Sequence, residues 1–128
     1  MPGCVLRVSG ACTKVQRFLE ESSLPPFRVF WKGEPRGAGR AVEQSGFNLV
    51  LSEAGAMSLQ ARQVSEWSQR HRDVVRLIAQ LGFDSVSIDF GLRAATAAER
   101  PWPSYSVPLE IARLAVELGA SVELSFYT

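Results

Sequence analysis

Apolar and polar residues alternate with a period of two in five stretches of this chain, and recur with a 3–4 rhythm in three others. Cys4, Leu6 and Val8 alternate with Val5, Arg7 and Ser9, which predicts a first strand ended by Gly10. Val15, Phe18 and Leu19 then repeat at helical spacing, with Thr13 as the expected cap and Pro25-Pro26 as the stop. Phe27, Val29 and Trp31 against Arg28, Phe30 and Lys32 read as a second strand, and Phe47, Leu49 and Leu51 as a third. Between them, residues 33–40 hold three glycines and a proline and are expected to form no regular element. Val64, Trp67, Val74, Ile78 and Leu81 mark a long helical segment from a cap at Ser58 to Gly82, and its length of roughly 35 Å leaves open whether it is continuous or broken near Arg70-His71-Arg72. Val86, Ile88 and Phe90 predict a fourth strand. Pro108 suits the first turn of a helix carrying Ile111, Leu114 and Leu118 and closed by Gly119, and Val122, Leu124 and Phe126 complete the final strand.

The predicted order is β-α-β-β-α-β-α-β. Its first six elements match a ferredoxin-like split βαβ unit, and one αβ unit follows. Each strand alternates, so the sheet should have helices on one face and a partly solvated second face. The expectation is an α+β fold: a five-stranded, mainly antiparallel or mixed sheet with helices on one face, in one domain spanning residues 1–128. An internal echo supports the last units, since Leu81-Gly82 before Val86-x-Ile88-x-Phe90 resembles Leu118-Gly119 before Val122-x-Leu124-x-Phe126.

Composition narrows the function classes. The 128 residues carry 14 Lys+Arg against 13 Asp+Glu, a net charge of +1, which argues against a strongly basic nucleic-acid binder and against general disorder. There is no apolar run near the roughly 20 residues that span a bilayer, and the first residues do not read as a signal peptide, so a cytoplasmic location is expected. Cys4 and Cys12 are the only cysteines and His71 the only histidine, too few for a four-ligand zinc site. No metal and no cofactor is expected, and the two cysteines read as small buried hydrophobes rather than a disulfide.

Candidate chemistry is sparse. His71 lies on the apolar stripe between Arg70 and Arg72 without a nucleophile at a recognisable spacing, so it reads as a packing or helix-break residue. Glu20 with Glu21, and Asp84 with Asp89, are not placed to split two pKa values for acid–base catalysis. Lys32, Arg36 and Arg40 make residues 33–40 a loop able to grip an acidic partner, although no phosphate-loop pattern is present. Trp31, Trp102 and Tyr105 have polar tips and sit near loops, as anchoring aromatics do. With Arg28 they complete the candidate set for binding a partner or ligand, and no catalytic set is assigned.

Trp31-Lys32-Gly33-Glu34 and the close Ile111-Ala112-Arg113-Leu114-Ala115-Val116-Glu117-Leu118-Gly119, followed by a strand ending in Phe126-Tyr127, resemble a family of short bacterial α+β proteins known only as a domain of unknown function. The resemblance implies a fold and no activity; some proteins of that build look like immunity proteins encoded beside toxins. The expected function is therefore a non-enzymatic, protein-binding module. The alternative is a small-ligand-binding or weakly catalytic domain using the open sheet face between Arg28, Trp31 and the Pro101–Tyr105 loop. Another protein is the expected partner, nucleic acid and membrane are not, and the final strand offers a route to a homodimer.

Overall fold

A computed structural model of the chain describes residues 3–93 and 106–127. In order these are β1 (Gly3–Gly10), α1 (Cys12–Glu21), β2 (Arg28–Phe30), β3 (Pro35–Gly37), β4 (Arg40–Ala41), β5 (Ser45–Ser52), α2 (Met57–Arg70), α3 (Arg72–Leu81), β6 (Ser85–Arg93), α4 (Leu109–Leu118) and β7 (Ser121–Tyr127). Five strands form one mixed sheet in the order β2-β5-β1-β6-β7, and β3 and β4 form a separate hairpin. Neighbours among β2, β5, β1 and β6 run antiparallel, and β7 joins β6 in parallel. The expected α+β plan holds: the first four sheet strands have the split βαβ order, and the α4–β7 unit extends the sheet at one edge.

The core forms where alternation sends apolar side chains to one face. Cys4, Leu6 and Val8 of β1, Phe47, Leu49 and Leu51 of β5, and Val86, Ile88, Phe90 and Leu92 of β6 are buried there. Val15 and Phe18 of α1, Val64 and Trp67 of α2, Ile78 of α3 and Ile111 and Leu118 of α4 close over them. Phe18 stacks on Phe47 at 4.1 Å, and Phe83 meets the Phe47 ring edge-on at 5.6 Å, an arrangement that fits aromatic quadrupoles. Gln60 is fully buried and ties two elements together, its Nε2 donating to the carbonyls of Ala54 and Gly91.

The helical middle is broken at His71, a point the sequence left open. His71 leaves the helical conformation at φ −116° and ψ 45°, separating α2 from α3, and its ring lies 5.2 Å from that of Trp67. Gly82 and Gly119 both adopt the left-handed conformation that ends a helix. Three local expectations are corrected. The helices α1 and α2 begin after Ala11 and Ala56, so neither Thr13 nor Ser58 is a cap. The second strand is only three residues long and Trp31 lies beyond it, where the chain already turns toward the hairpin. Residues 33–40 contain β3 and the first residue of β4, because positive φ at Gly37, Ala38 and Gly39 builds the turn. The two cysteines are free, as expected, but only Cys4 is buried; Cys12 is exposed on α1.

Candidate functional site

Pairing across the sheet assembles a site that no single segment of sequence contains. On the face away from the helices, Arg28 of β2 lies opposite Asn48 of β5, Asn48 opposite Arg7 of β1, and Arg7 opposite Ser87 of β6. These four residues form one row across four strands, spaced by the roughly 4.8 Å between strands. The next row is Phe30, Gly46, Ser9 and Ser85. Phe30 lies against Gly46, where any Cβ would meet the Phe30 ring at 2.6 Å and the Val8 carbonyl at 2.2 Å. Glycine at position 46 is therefore required by the close approach of ring and backbone.

The β3–β4 hairpin stands beside this face as an arm with an ordered root. Trp31 N–H donates to Glu34 Oε1 at 3.0 Å, Gly33 N–H to the Val42 carbonyl at 2.9 Å, and Val42 N–H to the Glu34 carbonyl at 2.9 Å. Lys32 N–H donates to Ser45 Oγ at 2.9 Å, which fixes the arm to the start of β5. Between the arm and the sheet lies an open cleft of about 720 Å³, with Arg7, Arg28 and Asn48 on its floor, Arg36 and Glu43 on the arm side, and Glu123 at the far wall.

The cleft lining carries charge of both signs, with Glu34 and Glu43 on the arm beside Arg36. Arg28 and Arg36, toward β2, form no ion pair or hydrogen bond among the described residues. Toward β7 the charge is negative. Asp89 stands beside Glu123 in register, and is only 6 % exposed. It accepts from Arg7 Nη2 at 3.3 Å and Nε at 3.4 Å through Oδ2, and from Ser125 Oγ at 2.6 Å through Oδ1. Arg7 is thus held across the sheet by a carboxylate with both oxygens engaged. Burial first, and then the Asp89 charge, pushes the thiol of Cys4 up to about 12, so this cysteine is a neutral core residue and no nucleophile.

Of the residues singled out in the sequence, Arg28 and Arg36 line the cleft. Lys32 and Arg40 are exposed on the arm but do not line it. Trp31 is not on the open face, contrary to expectation: it packs against the core on the helix side, because it follows Val29, whose register partner Phe47 points there. Trp102 and Tyr105, with their proline loop, lie outside the described residues. Sequence reading passed over Arg7, Asn48 and Ser87, and weighed Asp89 only as half of a carboxylate pair with Asp84. Each sits at an outward position of an alternating strand, and the signal was that these outward positions carry hydrogen-bonding side chains on adjacent strands. No group of three or more His, Cys, Asp or Glu residues gathers at a metal-binding spacing among the described residues, and no helix there is long and apolar enough to cross a membrane. Searches against protein-family models, curated proteins and solved structures find no match to this chain.

Proposed function

We propose that this chain is a non-enzymatic, cytoplasmic binding module of bacterial type whose open sheet face receives a segment of another protein. The observation that carries this reading is the open cleft, with the side chains of Arg28 and Arg36 unpaired among the described residues at one end and Glu123 at the other. A segment with an acidic residue at one end and a basic residue at the other complements both ends. A nucleic-acid backbone does not, because its phosphates would face Glu43 and Glu123 as well as the arginines. The cleft is broad and lined mostly by polar side chains, whereas sites for small molecules are mostly apolar and enclosed. An immunity-like role, which the resemblance implies, is one way to use such a face.

Co-purification from the native host tests the reading when run with Arg28→Glu/Arg36→Glu and with Glu123→Gln. The partner captured by the native chain should bind the double variant at least about tenfold more weakly, a loss of about 1.4 kcal/mol, and should lose less with Glu123→Gln. Equal capture by all three chains would refute the assignment of the cleft. The volume of about 720 Å³ also falls in the range of ligand sites, roughly 300–1,000 Å³. A small zwitterion bound without any protein partner would establish that second reading instead.

A further inference from the structure

We infer that Arg28, Asn48 and Arg7 form a seat for a single carboxylate, and that Asp89, held in turn by Ser125, positions Arg7 for it. The inference rests on reading the cleft as a binding face, and it names the chemical group that face takes and where. The three seat residues are register partners on β2, β5 and β1. With neighbouring strands about 4.8 Å apart, the two arginines stand roughly 10 Å apart at Cα, with one shorter amide side chain between them. Both guanidinium groups can therefore lean over Asn48 from opposite sides. Along β5 the residues flanking Asn48 on this face are Gly46, which lies under the Phe30 ring, and Val50. Neither flank offers an acceptor that would compete with a ligand.

The donors of the seat are unspent. Arg28 and the side-chain amide of Asn48 make no hydrogen bond among the described residues, although Glu34, Glu43 and Glu123 line the same cleft. Arg7 is engaged along one edge only: Asp89 Oδ2 accepts from its Nε and Nη2, and its Nη1 makes no bond among the described residues. Asp89 does not line the cleft and is only 6 % exposed, so it stands behind Arg7 and meets no ligand itself. Its second oxygen accepts from Ser125 Oγ at 2.6 Å, which fixes the carboxylate that fixes the arginine. An arginine already ordered gives up less freedom on binding than a free one.

The ligand follows from the shape and charge of the seat. A guanidinium on each side of an amide suits a planar group with two oxygens, one turned to each arginine. Arg7, Arg28 and Arg36 in the lining are balanced by Glu34, Glu43 and Glu123, so the second charge of a phosphate would face carboxylates that nothing further offsets.

Titration of the isotopically labelled full chain with sodium acetate at constant ionic strength tests this, followed by NMR of the side-chain N–H signals of Arg7, Arg28 and Asn48. All three should move along one saturating curve. Arg28→Gln should weaken acetate about tenfold, and Arg7→Lys, which keeps the charge but loses the planar fork, about fivefold. Asp89→Asn separates positioning from charge. Removing a nearby negative charge would by itself tighten anion binding, whereas loss of the group that holds Arg7 should weaken it about threefold. Ser125→Ala leaves Asp89 charged and should weaken acetate in the same direction, which keeps the test open if Asp89→Asn does not fold. N-acetylglycine and the α-amide of N-acetylglutamic acid then distinguish a chain terminus from an acidic side chain as the source of the carboxylate. Acetate that binds more tightly to Asp89→Asn, that is indifferent to Arg7→Lys, or that binds less tightly than inorganic phosphate would overturn the inference. No seat for acetate, with partner capture still dependent on Arg28 and Arg36, would strike this inference alone. A working seat, with capture indifferent to both arginines, would strike the partner reading and leave the seat.

Discussion

The α3–β6 and α4–β7 units were built to one local recipe and ended in different environments. Each has a ten-residue helix, a Leu-Gly end with the glycine left-handed, and a strand reading Val-x-Ile/Leu-x-Phe. Their strands are parallel neighbours, with Ile88 beside Val122, Phe90 beside Leu124 and Leu92 beside Phe126. Yet Phe90 is wholly buried and Leu124 is 38 % exposed. The difference is one of position: among the described strands β6 lies between β1 and β7, while β7 stands at the end of the order next to β6. Local pattern decides what a segment becomes. Its neighbours decide how much stability each side chain contributes.

The largest expected effect tests that statement directly. Phe90→Ala should destabilise the fold by about 3–5 kcal/mol in urea denaturation, because a fully enclosed ring leaves a cavity the sheet cannot close. Its register partner, changed as Leu124→Ala, should cost about 1 kcal/mol or less by the same measurement. Near-equal losses would mean that α4 covers the β7 edge far more completely than its exposure indicates.

A second contrast lies on the open face. Asp89 and Glu123 are register partners, but Asp89 holds Arg7 and Ser125 while Glu123 faces the cleft. Asp89→Ala leaves a half-buried arginine and a hydroxyl without their acceptor and should cost about 1–3 kcal/mol by the same measurement. Glu123→Ala should stay within about 0.5 kcal/mol of the native chain. If both are silent, the Arg7–Asp89 pair does not hold the site, and Arg7 is free to take part in binding as Arg28 is.

These contrasts also show what the sequence made legible. Alternation placed the sheet strands and their buried faces, and both left-handed glycines followed from helix-end chemistry, whereas helix length alone left the break at His71 open. The arm was missed because glycine breaks a strand and also makes the turn of a hairpin; which role it plays at Gly37 and Gly39 depends on backbone hydrogen bonds such as Val42 to Glu34. The cleft was only partly visible. Arg28 and Arg36 stood out as charges near a loop, but the row through Asn48, Arg7 and Ser87 exists only once three strands distant in sequence are set in register. Trp31 was grouped with Arg28 on the open face although alternation already sets it with Val29, on the side where the core lies.

The helix ends sharpen the comparison at smaller magnitude. Gly82→Ala and Gly119→Ala should each cost about 1–2 kcal/mol, since alanine in the left-handed region is strained wherever it occurs. The two costs should be alike because a Cβ has open space at Gly119 and meets only Lys14 Nζ, at 4.0 Å, at Gly82. Burial of the following strand should not enter, and thermal unfolding of the two variants side by side tests this. A much larger loss at Gly82 would show that β6 transmits its burial back into the helix end.

The smallest effect separates the two ends by how their carbonyls are satisfied. After α4 the backbone does this itself, with Ala120 N–H donating to the Ala115 carbonyl at 2.7 Å. At the end of α3 a side chain from another helix takes part: Lys14 Nζ of α1 donates to the Gly82 carbonyl at 2.8 Å. That bond is exposed and its partner is long and flexible, so Lys14→Met should lower stability by only about 0.5 kcal/mol. A positive charge near a helix C-terminus is favourable and screened by salt. The difference between the native chain and Lys14→Met should therefore shrink in 1 M salt, on the order of a 3 Å screening length. If it is unchanged by salt, the bond acts through hydrogen-bond geometry and not through charge, and α1 positions the start of β6 by contact alone.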